Sequence, residues 1–409
     1  MNAGRSRRGR RGSYRPARKR RTHTVALTGL AAGIAATFLL ALGARTVLAH
    51  AACTSHPMVV NVAASSEIAP VVRHLGRYFN GLHRQVSGRC VRVAVTAEPP
   101  GTVMARLAGR GPRRVPQADA WLPDSTLWAG LASRAAVPAG RVRASGIILA
   151  RSVLVIAMPR SAAALAPAFG TAVSWKFLLP QNAGGPAAAL GLRVEFPDPT
   201  VSAAGLVALT EFERLAGRQA AARTALASFA VNAQLAPAPD GVSPLAAWVP
   251  PAAGTPPAGA GAASAPVTIT TEQAVIQFDR AHPRQPLAVR YPAEGSQELS
   301  FPYVLTTADP LVRAAAGTFG KLLRSGYAAS YVRYAGFRSA SGAAGEWPAS
   351  SGLTSGPHLL PQPTLAQAEI ALHTWQRARS PAGRSPGRPA ARPSPSAAAP
   401  SPDRLFTGR

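Results

Sequence analysis

The chain has 409 residues, with 45 Lys and Arg against 17 Asp and Glu and a formal net charge of +28. That length accommodates two or three domains. The charge is concentrated at the ends. Ten basic residues and no acid lie in residues 1–24, seven arginines follow Trp375 against Asp403 alone, and setting Arg45 aside leaves 27 basic and 16 acidic residues for the body. No basic module interleaved with aromatics is present, so no nucleic-acid partner is expected.

In chain order, the basic leader 1–24 precedes Val25–Ala44, twenty residues without a charge. At ~1.5 Å per residue such a run covers the ~30 Å hydrocarbon core. The basic leader sets its orientation, with residues 1–24 cytoplasmic and the body outside. A single-pass anchor at 25–44 is the expectation. The alternative is a signal segment cleaved near Ala49-His50-Ala51. Either reading places the body outside the membrane. Only two cysteines occur, Cys53 and Cys90, both after the apolar run. In an oxidising compartment an even pair suggests a disulfide, with two buried thiols as the alternative.

Val59–Ala64 predicts a strand, and Ser65-Ser66-Glu67 a turn with serine as N-cap. The apolar spacing from Ile68 to Phe79 predicts a helix. Val91–Thr96 is a second strand and Gly101–Leu107 a helix. Ala118–Leu122 is a third strand, and Pro123-Asp124-Ser125 opens the next helix. Strands that each feed a helix indicate a parallel sheet. Ile147–Leu149 and Val153–Ala157 read as extended, a crossing into a second lobe. Gly191–Phe196 is a strand followed by the turn 197–205 and a helix from Leu206 to Leu215. Residues 236–266, saturated with Pro, Ala and Gly, read as a disordered insertion. Further elements are a short helix Ala274–Phe278, strands Leu287–Tyr291 and Phe301–Leu305, helices Pro310–Ser325 and Tyr327–Tyr334, a loop over 338–362, and a helix Leu365–Trp375. A disordered Pro/Ser/Arg tail over 376–409 closes the chain.

Three turns, at Ser65-Ser66, Asp124-Ser125 and Ser202–Gly205, end a strand and start a helix, so each aims free backbone N–H groups and a helix dipole at one point. In open α/β sheets ligands sit outside the carboxyl ends of the strands. The stretches VVNVAASSEIAPVVRHLGRYFN, ADAWLPDSTLW, PDPTVSAAGL and the FPYVLTT…GFR close resemble actinobacterial extracellular solute-binding proteins over about residues 58–338. The resemblance implies an α/β, two-lobed type II periplasmic-binding-protein-like fold with a ligand cleft between the lobes. It implies lobe 1 over about 58–145 and 300–338 and lobe 2 over about 150–290. Many such proteins continue into a von Willebrand factor A domain. No Asp-x-Ser-x-Ser metal motif follows Trp375, so metal-dependent adhesion is not expected.

The resemblance maps ligand contacts onto Ser65, Ser66, Asp124, Ser125, Ser152, Ser202, Ala203 and Gly205, with Glu272, Gln273 and Tyr303 as further candidates. Ala203 and Ala204 carry no side-chain donor, so that turn would bind through backbone N–H groups. The implied ligand is a small polar or anionic solute, and the implied partner an ABC permease. No cofactor and no metal are expected. No enzyme is expected either, since no G-x-S-x-G, H-E-x-x-H or P-loop pattern is present. The alternative function is a cell-envelope interaction module that keeps the fold without a working ligand site.

Overall fold

The computed structural model describes residues 33–41, 43, 57–110, 117–163, 173–179, 186–189, 191–217, 220–235, 245, 248 and 265–380. Of the apolar run 25–44, residues 33–41 and 43 are helical, and the rest lies outside the described residues. Among the described residues no helix is long and apolar enough to cross a membrane. Cys53 and the tail from residue 381 also lie outside them.

Strand β1 (Met58–Ala64) buries Met58, Val60 and Val62 on one face. Helix α1 (Ala69–Gly81) follows, burying Val71, Val72, Leu75 and Phe79 with Pro70 in its first turn, where a missing N–H costs nothing. A hairpin, β2 (Gln85–Val86) and β3 (Arg89–Ala97), then leads to α2 (Pro100–Leu107), β4 (Ala120–Leu122) and α3 (Thr126–Ala135). Strand β1 lies parallel between β3 and β4, the arrangement that helical crossovers produce.

The chain then runs seventeen residues without a break as β5 (Arg143–Pro159). Beyond it come β6 (Leu192–Phe196), α4 (Ala203–Ala216), α5 (Ala220–Asn232), β7 (Gln234–Leu235), β8 (Ala265–Thr271), α6 (Glu272–Ala281) and β9 (Leu287–Arg290). The return is β10 (Glu298–Leu305), followed by α7 (Pro310–Leu323), α8 (Gly326–Tyr334) and α9 (Leu365–Arg379). The strand order is β2-β3-β1-β4-β10-β5-β8-β6-β7, with β9 also on β5. Two mostly parallel half-sheets therefore meet at the antiparallel pair β5–β10. The first part of β5 pairs with β10 over residues 143–153, and its last part pairs with β8 and β9 over residues 154–159.

Several elements differ from the sequence expectation for identifiable reasons. The two extended stretches around Arg151-Ser152 are one strand, because Arg151 is paired on both sides: it faces Ser300 in β10, and its backbone exchanges hydrogen bonds with Arg338. Within the Pro/Ala/Gly segment, Leu245 and Trp248 are buried against Val155, Val275, Phe278 and Leu287, and β8 already begins at Ala265. The last helix runs on to Arg379, started by a capping box between Thr364 and Gln367. It packs on α4 and α5 through Trp375, whose ring lies 5.7 Å from Phe196 and 6.1 Å from Phe229. It also reaches α3, where Leu365 covers Gly130 and Glu369 pairs with Arg134.

At the crossing between the half-sheets, Arg338 donates from Nε at 2.7 Å and Nη2 at 2.6 Å to the two oxygens of Glu272. The side chains are 3% and 0% exposed. Tyr291 Oη and the Val153 N–H complete the carboxylate, and the carbonyls of Thr354 and Ser355 complete the guanidinium. Burial and the adjacent Glu272 charge raise the Tyr291 pKa, keeping its hydroxyl a donor. Removing one partner of a buried pair strands the other charge. Arg338→Met is expected to lower the unfolding free energy by about 3–5 kcal/mol in urea titrations, whereas Arg134→Met, at a half-exposed pair, should cost at most about 1 kcal/mol.

Candidate functional site

The ends of β1, β4 and β8 and the start of α4 come together where the half-sheets face each other. Ser65 is buried, and its backbone ties the turn to the sheet: its N–H donates to Leu122 O at 2.9 Å, and its carbonyl accepts from Ile68 and Ala69. The N-cap position of α1 is Ile68, so the Ser65 hydroxyl does not cap the helix. That hydroxyl is buried without a hydrogen-bond partner. Ser66 is half-buried beside it. Glu67, two residues on, turns its carboxyl inward and accepts from Thr271 Oγ1 at 3.1 Å, at the end of β8 in the opposite lobe.

Asp124 makes the second link across the lobes. Its Oδ2 accepts from the Ala203 N–H at 2.9 Å, capping α4 from the opposite lobe, while its Oδ1 is buried and unmatched. Ser202 stands at the N-cap position of α4 without a side-chain cap bond, and the first helical N–H, that of Ala203, goes to Asp124. Ser125, by contrast, is a cap, accepting from the Leu127 N–H at 3.1 Å.

Two glycines set how closely the chain approaches itself here. A Cβ on Gly101, at the start of α2, would lie 1.8 Å from the carbonyl oxygen of Thr200 across the seam. A Cβ on Gly205 would lie 2.2 Å from the Pro197 carbonyl oxygen, so this glycine serves the packing of the turn onto α4.

The remaining candidates fall elsewhere. Ser152 is fully buried in β5, where its Oγ accepts from the Gln273 N–H at 3.2 Å. Gln273 directs Nε2 toward Ala335 O and Gln277 Oε1. The Glu272 carboxylate is filled by Arg338, Tyr291 and Val153, leaving no oxygen for a ligand. Tyr303 is a core residue of the first lobe, donating to Ala316 O at 3.0 Å beside Phe319. These residues hold the crossing or the core. The site gathers Ser65, Ser66, Asp124, Ser202 and Ala203, and adds Glu67, Thr271 and Gly101, which the sequence reading left out. Glu67 was signalled by its place directly after Ser65-Ser66, although an acidic residue before a helix is equally expected to serve the dipole.

Two carboxyls stand among these helix starts, and both have raised pKa values. Burial, and then the Asp124 charge, push Glu67 up to about 8, partly offset by the Thr271 bond. Burial pushes Asp124 up to about 7, partly offset by the Ala203 N–H. Among the described residues, no group of three His, Cys, Asp or Glu is gathered to hold a metal.

A family model for bacterial extracellular solute-binding proteins matches residues 60–338. The chain belongs to that family. Solved structures agree on the fold. A periplasmic thiamin binding protein is 16% identical with a TM-score of 0.53, covering 80% of this chain and 98% of its own. The periplasmic binding protein P5PA is 13% identical with a TM-score of 0.54, covering 79% and 99%. AfuA from Actinobacillus pleuropneumoniae, with exogenous fructose-6-phosphate bound, is 12% identical with a TM-score of 0.52, covering 80% and 99%. Comparison with curated proteins finds no match.

Two outcomes follow from this geometry. Gly101→Ala is expected to stop the lobes from meeting as they do here, read as a larger radius of gyration in X-ray scattering with the fold intact by circular dichroism. The carboxyl pKa values set a sign for stability. A group with a raised folded pKa holds its proton more tightly when folded, so its stabilisation is present at low pH and lost as pH rises from about 4.5 to about 8. Glu67→Gln is therefore expected to flatten the fall in melting temperature between about pH 5 and pH 8.

Proposed function

We propose that this protein captures a small polar solute outside the cell, between its two lobes, and delivers it to an ABC permease. The observation that carries this reading is the seam, where Glu67 and Asp124 of one lobe meet Thr271 and Ala203 of the other, with Ser65 and Ser202 in the same turns. Those side chains lie at the carboxyl ends of parallel strands, where α/β proteins bind ligands. In this reading the lobes divide at about residues 145–153 and 287–303, with 58–145 and 300–338 moving against 150–290. Val25–Ala44 anchors the chain with its body outside, so capture occurs beside the membrane that holds the permease. Mass spectrometry of the mature N-terminus checks this, since a chain beginning near Ala51 would mean a cleaved signal.

The second cysteine, Cys90, is buried where β3 begins, and no free cysteine occurs among the described residues. We assign it a bridge to Cys53, closing a loop whose chain-entropy stabilisation is about 3–4 kcal/mol. Alkylation of the native exported protein should label no thiol, and two labelled thiols would refute the bridge.

Solute capture is tested by thermal-shift screening with X-ray scattering of the same mixtures. A true solute raises the melting temperature and changes the scattering radius together. Ser65→Ala should weaken that solute by about tenfold, the worth of ~1.4 kcal/mol. Stability should barely change, because the hydroxyl caps no helix. A second reading, an envelope interaction module, is favoured by an exposed aromatic run. Tyr78 stacks on Tyr327 at 4.3 Å, His74 on Tyr331 at 3.7 Å, and Tyr334 lies under Arg280. Tyrosine and arginine are enriched at interfaces. A solute that moves the lobes would decide for capture.

A further inference from the structure

The charge of the captured solute follows from the atoms the seam leaves unmatched, and this inference rests on the capture reading. Glu67 and Asp124 each commit one oxygen to the opposite lobe, on Thr271 Oγ1 and the Ala203 N–H. Asp124 Oδ1 and Ser65 Oγ remain buried without a partner, on residues 7% and 3% exposed. At the N-terminus of α4 the first N–H, that of Ala203, is spent on Asp124, which places a carboxylate where an anion would otherwise approach. The charged groups on the surrounding elements form ion pairs of their own, although the Nε of Arg106 is buried without a partner. Arg106 of α2 pairs with Glu98, which follows β3, and Arg338 pairs with Glu272, next to Thr271. Asp198, in the turn before Ser202, accepts from the Thr200 N–H and Oγ1. Among the described residues, no Arg or Lys forms an ion pair with Glu67 or Asp124.

We propose that the seam binds a small organic cation, an ammonium or amidinium, whose N–H groups donate to Asp124 Oδ1, the Glu67 carboxylate and Ser65 Oγ. A bare metal ion is poorly served, since calcium takes six to eight oxygens and two carboxylates with one hydroxyl fall short. The cation replaces protons. Both carboxyls are held partly protonated near neutrality by burial, and a bound positive charge favours their ionised forms. Binding therefore releases protons, and affinity rises with pH.

The test is calorimetry on the full chain in detergent. Putrescine, agmatine and methylammonium are compared with sulfate, phosphate and molybdate, at about pH 6 and pH 8, in buffers of different ionisation enthalpy. At least one amine is expected to bind about tenfold or more tightly at the higher pH, with a buffer-dependent enthalpy that reports proton release. Glu67→Gln and Asp124→Asn should each weaken it by at least about tenfold. Glu67→Gln should melt no earlier than the parent at pH 8, which separates lost binding from lost folding. An oxyanion that binds more tightly at pH 6 and tolerates Glu67→Gln would overturn the cation assignment and leave solute capture standing. Silence from both sets, with an unchanged scattering radius, would overturn capture itself.

Discussion

The fold turns on the buried ion pair between Glu272 and Arg338. Glu272 opens α6 directly after β8, in the second half-sheet, and Arg338 follows α8 and Phe337, which belong to the first. Their contact also takes in Val153 of the shared strand, Tyr291 after β9, and the carbonyls of Thr354 and Ser355. Desolvating two charges is expensive, and only full hydrogen bonding around both makes the arrangement tolerable. Here each carboxylate oxygen and most of the guanidinium fork are matched. The pair therefore fixes one geometry at the crossing, where strands of two sheets, a helix start and a loop must agree.

Away from that crossing the lobes meet through much less. The links described at the seam are single hydrogen bonds on Glu67 and Asp124, plus the backbone approach at Gly101. A typical hydrogen bond contributes about 0.5–1.5 kcal/mol net, rising to about 1.5–3 for one on a charged group. Against this stands the burial of two carboxyls with raised pKa values. The seam is thus weakly held compared with the crossing. Rigidity at one edge and near-balance at the other suit a hinged molecule.

Much of the fold was legible in the residues. The periodicity of β1 and α1, the strands β3, β4, β6 and β10, and the helices α7 and α8 follow from alternation and 3.6-residue spacing. The continuity of β5 was not legible, because Arg151-Ser152 interrupts an apolar run. Its polarity is satisfied by Glu298 and by the Ala340 carbonyl, contacts 147 and 189 residues away. The burial of Trp248 was equally hidden, since its indole N–H finds Glu195, 53 residues upstream. At the candidate site, the turns at Ser65-Ser66, Asp124-Ser125 and Ser202 were legible from the residues, and two of them meet across the seam through Asp124 and Ala203. What was not legible is the carboxylate placed against the start of α4. Asp124 reaches the Ala203 N–H from 79 residues away, and no local pattern announces it.

Helix α9 holds the two lobes with unequal grips. Its Trp375 end is sunk among Phe196 and Phe229 of the second lobe, an aromatic cluster of the kind that dominates core energetics. Its other end meets the first lobe at α3, where Leu365 lies over Gly130 and Glu369 forms a half-exposed pair with Arg134. If the lobes part as proposed, the weaker grip would yield and the helix would travel with the second lobe. The Gly130 depression on α3, too shallow for any side chain of its own, would then lose its leucine plug and become a bare apolar patch. The exposure of that patch would then be tied to whether the cleft is open, through the contact of α9 with α3.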